Sequence, residues 1–336
     1  MENILQDKLT STFALPWIEK YRPSNLDDII LPKFIKDIIV NTINSSNIKN
    51  MIITGDPSTG KTSTALIIAK EIFGEYFDDF VLELNASDDR GLTVINNIII
   101  PFCKKSFIDS NGEKRKRLII LDESDFITIK AQQLLINIIS DYINSISFIF
   151  ICNTYNCIIS GIQSQCLIIN FSEINSKDIL CKIKEICNLE NVIYDNDDSL
   201  LYLIKLLNND IRKIISNIEC IHYSSNQVNI ENINKIVKTP KKDIIIQLIY
   251  CIENKDYGKT FDLINYFIDS KDRLSPDYLT SYIMKILFSN QVNIKLENKI
   301  NMYKILSEYL LLFEKKYNTR IQLYDCINKI IENMKI

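Results

Sequence analysis

Along the first half of the chain, short unbroken apolar runs alternate with stretches in which apolar residues recur every three or four positions. The runs Asn50 to Thr54, Phe80 to Leu84, Leu118 to Leu121, Ser147 to Cys152 and Cys166 to Phe171 lack in–out alternation. That pattern suits strands covered on both faces, with helical segments between them, so the spacing predicts an α/β domain with a parallel sheet over residues 1–171. From Ser172 to Lys238 the pattern is wholly helical, with Asn175-Ser176-Lys177-Asp178 and Asn208-Asn209-Asp210 as helix starts. Thr239-Pro240 breaks it. The remainder reads as amphipathic helices, Ser275-Pro276-Asp277 marking one N-terminus. The expected order is therefore an α/β domain over 1–171, a small helical domain over 172–238 and a helical domain over 239–336.

Composition sharpens this picture. The 336 residues are 46% hydrophobic and 24% charged, as in a globular protein. Glycine is scarce at seven, and isoleucine takes about a fifth of the chain, a bias expected of an AT-rich genome. Isoleucine runs therefore carry little functional information, and each remaining glycine carries more. A net charge of -3 and a pI near 5.5 exclude a polybasic nucleic-acid coat but not a local basic face. No apolar run approaches the roughly 18 residues of a membrane span. The start, Met1 to Lys8, has no apolar signal core, so the protein is expected to be intracellular and unprocessed. Nine cysteines without a CxxC pair, and one histidine, His222, argue against structural zinc and for reduced, mostly buried thiols.

The chemistry concentrates in three places. Gly55-Asp56-Pro57-Ser58-Thr59-Gly60-Lys61-Thr62, followed by Ser63, fits GxxxxGK(S/T) between an expected strand and an expected helix. Such a loop turns its N–H groups toward phosphate oxygens, sends Lys61 to the β/γ-phosphates and offers Thr62 to Mg²⁺. Leu118 to Leu121 ends in Asp122-Glu123, where Asp122 would hold Mg²⁺ through water and Glu123 would polarise the attacking water. Asn153, after the strand Ser147 to Cys152, can reach the γ-phosphate or that water. Arg212 starts a helix in the second domain and can bring a cation to the nucleotide from above.

At this point the chain resembles the AAA+ clamp-loader subunits, specifically the small subunits of replication factor C. Pro16-Trp17-Ile18-Glu19-Lys20-Tyr21-Arg22-Pro23 is similar to the family's PWxEKYRP, and Leu84 to Gly91 to its LNASDERG. Asp122-Glu123-Ser124-Asp125 stands for DEAD, Ala131-Gln132-Gln133 for AQQ, and Cys152-Asn153 for the end of the sensor 1 strand. Asn209-Asp210-Ile211-Arg212-Lys213 resembles GDMRR of sensor 2, and Arg320-Ile321-Gln322-Leu323 the collar's RLQL. The resemblance implies an α/β P-loop ATPase domain, a helical lid and an all-α collar that joins five different subunits in a hetero-pentamer. It implies ATP and Mg²⁺ as cofactors, and a sliding clamp and primer–template DNA as partners, with no membrane. It also implies nucleotide contacts at Ile18, Arg22, Gly55 to Ser63, Asn153 and Arg212, and DNA contact at Arg90. Location follows as nuclear in a eukaryotic cell, or at the replication site of a large DNA virus.

Several positions depart from the family pattern. Its Ser-Arg-Cys motif, whose arginine completes the neighbouring subunit's site, appears as Ser164-Gln165-Cys166. Glutamine lacks the charge of such a finger, worth on the order of 10³–10⁵ in rate in other nucleotidases. Family arginines on the DNA-facing helices are replaced by Val94 to Asn97 and by Ile136-Asn137, which weakens phosphate contact. Lys114-Arg115-Lys116-Arg117 reads as a solvated loop before a strand, with DNA contact as the alternative. Ile98 to Phe102 reads as core rather than as a clamp-facing surface. Glycine common in the family is replaced by Ser58 within the loop and by Asn209 before sensor 2. The alternatives are a mainly structural ATP-binding subunit with little hydrolysis, and another AAA+ remodeller such as a helicase loader.

Overall fold

A computed structural model describes residues 15–45, 48–87, 91–105, 116–237, 240, 242–269, 274–289, 292–314 and 318–334. The chain divides into two compact units, Met1–Ile236 and Val237–Ile336. In the first, helix α1 (Lys33–Ser45) leads into β1 (Met51–Gly55) and α2 (Lys61–Phe73). Then come β2 (Val81–Asn85), β3 (Arg117–Asp122), α3 (Ile129–Asp141), β4 (Ile146–Cys152) and β5 (Leu167–Phe171). All five strands lie within a residue or two of the apolar runs that predicted them.

The sheet is wholly parallel in the order β2-β3-β4-β1-β5, with Met51 opposite both Ile149 and Leu167. Successive residues of each strand face opposite sides, as the period of two demands. Ile53, Ile120 and Ile149 pack with Ile39, Ala65, Ile68 and Phe73 on one face. Ile52, Ile119, Phe148 and Phe150 pack with Leu135, Ile138 and Ile139 of α3 on the other, together with Ile95 and Ile99. Both faces are covered, which is why the strands carry apolar runs rather than alternation. Ile99 is buried as expected of core, while its neighbour Ile98 is exposed.

After β5 the chain forms α4 (Ser176–Leu189), β6 (Ile193–Tyr194), α5 (Asp197–Leu206), α6 (Ile211–Ser224), β7 (Gln227–Val228) and α7 (Ile230–Val237). The expected starts are real caps: Asn175 Oδ1 accepts from the Lys177 N–H and Asp210 Oδ1 from the Lys213 N–H. The expectation that this stretch is wholly helical is corrected by β6 and β7, which pair in parallel. Two-residue strands are too short to leave a periodic signal. These helices belong to the same compact unit as the α/β layer.

The second unit holds α8 (Lys242–Glu253), α9 (Tyr257–Asp269), α10 (Pro276–Phe288), α11 (Leu296–Glu314) and α12 (Arg320–Glu332). They surround one apolar core that includes Leu248, Ile283, Leu306 and Leu323. Ser275 occupies the N-cap position of α10 without a side-chain capping bond, with Pro276 in the first turn. In the Arg320-Ile321-Gln322-Leu323 motif, Leu323 is buried and Arg320 pairs with Asp269 at 2.7 Å. No described helix is long and apolar enough to cross a membrane.

Two glycines separate backbone necessity from tolerance. A Cβ on Gly55 would lie 2.2 Å from the Phe171 carbonyl oxygen, at φ +140°, whereas one on Gly161 would meet the movable Ile136 Cδ1 at 2.4 Å. Gly55→Ala is therefore expected to destabilise the first unit by upwards of roughly 3 kcal/mol, and Gly161→Ala by less than about 1.5 kcal/mol. Urea unfolding followed by fluorescence of Trp17, the single tryptophan, checks the order.

Candidate nucleotide-binding site

The carboxyl ends of β1, β3 and β4 converge where the strand order reverses, the place at which open parallel sheets bind ligands. The loop from Gly55 to Gly60 leaves β1 there and feeds α2. Gly55, Ser58 and Gly60 have φ of 140°, 65° and 92°. Glycine accepts such values freely; Ser58 holds one at a strain of about 1 kcal/mol. The first N–H groups of α2 have no intrahelical partners, so the loop and helix start form an anion cradle.

Lys61 is 8% exposed. Its ammonium donates to the carbonyls of Gly55 and Asp56, both at 2.7 Å, and to Asn153 Oδ1 at 3.0 Å. Burial pulls this ammonium below its ordinary pKa, opposed by the nearby carboxylates of Asp122 and Asp125. Asn153 is itself pinned: its N–H donates to Asp125 Oδ2 at 2.9 Å and its carbonyl accepts from Thr54 Oγ1 at 3.1 Å. Asp125, the last residue of Asp122-Glu123-Ser124-Asp125, thus orients the sensor asparagine, a role not anticipated from the sequence.

Thr62 Oγ1 donates to Asp122 Oδ2 at 2.8 Å. A hydroxyl and a carboxylate so close are hard oxygen donors of the kind Mg²⁺ takes when phosphates and water complete its shell. No cluster of three or more acidic, cysteine or histidine ligands occurs among the described residues. Next to Asp122, Glu123 is exposed with φ +52°, its N–H donating to Asp122 Oδ1 at 2.8 Å.

These groups line a cleft of about 480 Å³, closed above by the N-terminal segment and by α4 and α6. Ile18, Arg22, Pro57 to Ser63, Asp122, Glu123, Asn153 and Arg212 all face it, and Ile29, Ile186, Ile211 and Ile215 give it an apolar end. Gly55 and Asp56 reach the site through their carbonyls on Lys61 rather than as cleft wall. The wall is tied together by polar contacts that the sequence did not advertise. Lys20 pairs with Glu190 at 2.5 Å, Tyr21 donates its hydroxyl to the same carboxylate, and the Trp17 N–H donates to Glu219 Oε2 at 3.2 Å. Trp17 itself is buried, its ring 5.2 Å from that of His222.

Other motif residues separate into structural and undescribed ones. Gln132 of the AQQ motif is buried, donating to the carbonyls of Ile127 and Cys157 and accepting from the Ile159 N–H. It therefore fixes the turn after β4. Arg90, together with Lys114 and Arg115, lies outside the described residues. Within the basic run, both readings are corrected for Arg117 alone. It is the first residue of β3 and only 3% exposed, with Nη2 donating to the Cys103 carbonyl at 3.1 Å and its guanidinium 4.6 Å from the centre of the Phe102 ring. Cys103 and Cys152 are buried, and burial pushes both thiols up to about 11.

Glu190 is the hinge of the N-terminal wall. Glu190→Ala is expected to loosen it by roughly 1 kcal/mol through the lost Tyr21 hydrogen bond. Acrylamide quenching of Trp17 should rise in this variant without global unfolding; unchanged quenching would show that Glu190 does not hold the segment.

Comparison with known proteins gives this geometry a family. Residues 51–174 match the ATPase family associated with various cellular activities, AAA. A protein of Acanthamoeba polyphaga mimivirus, assigned as a replication factor C small subunit, is 32% identical over 96% of this chain and 99% of its own length. Replication factor C subunit 4 of Saccharomyces cerevisiae is 38% identical over 74% of this chain and 76% of its own. Subunit 3 of Oryza sativa is 31% identical over 85% and 80%. Among solved structures, the Thermotoga maritima RuvB Holliday junction branch migration motor covers 70% of this chain and 80% of its own at a TM-score of 0.51. Its 16% identity bears on the fold alone. The sheet order, the loop around Lys61 and these relatives agree: the chain belongs to the replication factor C small-subunit family of AAA ATPases.

Proposed function

We propose that this chain is an ATP-binding and ATP-hydrolysing subunit of a replication factor C-like clamp loader, which places a sliding clamp on primer–template DNA. The observation that carries the reading is the Lys61 ammonium held between two loop carbonyls and Asn153, beside the Thr62–Asp122 pair. A triphosphate in the cradle would take Lys61 on its β/γ oxygens and the loop N–H groups on its remaining oxygens. Thr62 and Asp122 would hold Mg²⁺, which supplies positive charge to the phosphates when bound. Ile29, Ile186 and Ile215 offer an apolar seat for the base. Glu123 takes the proton of the attacking water, Asn153 orients that water or the γ-phosphate, and Arg212 neutralises charge from the lid side. Ile18 and Arg22 close the remaining wall.

Three working parts follow: the ATPase layer over 1–171, the lid over 172–238 and the collar over 239–336, which joins sibling subunits in a hetero-pentamer. Arg90 remains the residue proposed for DNA contact. The protein would act in a nucleus or at a viral replication site. A mainly structural role is the second reading, favoured by one observation: Gln165 stands where the family's trans-acting arginine is expected, so this subunit does not complete its neighbour's site.

With sibling subunits, clamp and DNA present, Lys61→Ala should weaken ATP binding by about 10- to 100-fold. Glu123→Gln should retain binding and lose at least about 100-fold in this subunit's turnover; undiminished turnover would leave the structural reading. Gln165→Ala should leave assembly ATPase nearly unchanged, and a large drop would make Gln165 catalytic.

A further inference from the structure

Ser58 and Asn209 are non-glycine residues in left-handed backbone positions, with φ of 65° and 59°. Glycine would hold either backbone with less strain, so what each side chain does is informative. Both act on the same turn. Ser58 Oγ donates to Asp210 Oδ1 at 2.6 Å, a charge-assisted bond between segments 152 residues apart. Asn209 faces the other way: its Oδ1 accepts from Ser176 Oγ at 2.9 Å and its Nδ2 donates to the Ile174 carbonyl at 3.3 Å. The turn from Asn208 to Asp210 is thus fastened to the phosphate loop on one side and to the connection entering α4 on the other.

The same turn launches α6. Asp210 Oδ1 also accepts from the Lys213 N–H at 3.3 Å, and Oδ2 pairs with the Lys213 ammonium at 3.3 Å. Its carboxyl side chain is 18% exposed. Burial alone would push that carboxyl upward, but the hydrogen bonds from Ser58 and Lys213 outweigh it and hold it below its ordinary value. The carboxylate therefore stays ionised while it caps the helix and grips the loop. Arg212 is the second residue of α6 and faces the cleft. Within a rigid first helical turn, wherever Asp210 is held, Arg212 is held too.

We propose that Ser58 and Asn209 are positioning residues that seat the 208–210 turn between the phosphate loop and the connection entering α4, and so hold Arg212 over the nucleotide phosphates. The proposal rests on the reading of the cleft as an ATP site. A lid fixed in this way needs less reordering when nucleotide arrives, and the gain appears as affinity. Because the side chains act through Arg212, their effect disappears when Arg212 is removed.

The test is titration of the full-length chain with fluorescent ATP and Mg²⁺, in the wild type and in an Arg212→Ala background. Ser58→Gly should weaken binding about tenfold in the wild-type background and leave it unchanged in the Arg212→Ala background. Asn209→Gly should behave in the same way. Asp210→Asn, whose amide oxygen still accepts from Ser58 and caps α6, should stay within about twofold of wild type. Each glycine variant loses hydrogen bonds while relieving left-handed strain, so the urea midpoint should shift only slightly. Equal weakening with and without Arg212, or no weakening at all, overturns the positioning role while leaving the ATP site intact. Failure of the wild type itself to bind ATP overturns the site reading and the proposal with it.

Discussion

A buried ammonium must find acceptors, and much of the first unit is arranged around that requirement at Lys61. Its acceptors come from three directions: the carbonyls of Gly55 and Asp56 and the amide oxygen of Asn153. They coincide only if β1 and β4 are parallel neighbours that end together, as the pairing of Thr54 with Cys152 ensures. Asp125 then fixes Asn153, and Asp122, opposite Asn85 at the end of β3, reaches Thr62. The opposite edge of the same cradle is set by β5, whose Phe171 carbonyl comes so close to Gly55 that no side chain fits there. Sheet order, glycine placement and site chemistry are thus one constraint seen at three scales.

Much of this was legible because it is local. Fully buried strands announce themselves as unbroken apolar runs, and the phosphate loop, the Asp122-Glu123 pair, the caps at Asn175 and Asp210 and the helix start at Ser275 are each encoded within a few residues. What escaped is non-local. Arg117 looked like one cation in a basic run, yet its partner is a carbonyl 14 residues away. Glu190 carried no signal, because its role depends on Lys20 and Tyr21 some 170 positions earlier. Ser58 and Asn209 were visible only as missing glycines; the turn they share appears when the lid is folded over the loop.

The departures from the family pattern fall into two kinds. Around the chain's own cleft, the side chains that stand in place of family glycines make hydrogen bonds: Ser58 to Asp210 and Asn209 with Ser176. Elsewhere, expected cations are missing: Gln165 stands where the family resemblance leads one to expect an arginine, and Ile136-Asn137 where it leads one to expect a pair. This asymmetry fits the proposed subunit, which would use ATP for its own site and leave neighbouring sites and much of the phosphate-backbone contact to its siblings. It also reconciles an acidic chain with the proposed role on DNA, since long-range charge attraction can be supplied by other members of an assembly.

The central claim, a clamp-loader subunit working through its own ATP site, is tested most directly by reconstitution. The full chain, its sibling subunits and the sliding clamp would be combined on primed circular DNA, and the clamp retained on the circle measured with and without ATP. The account predicts ATP-dependent retention that collapses when wild-type chain is replaced by the Lys61→Ala form. Equal retention with that form, or with this chain left out, would contradict it.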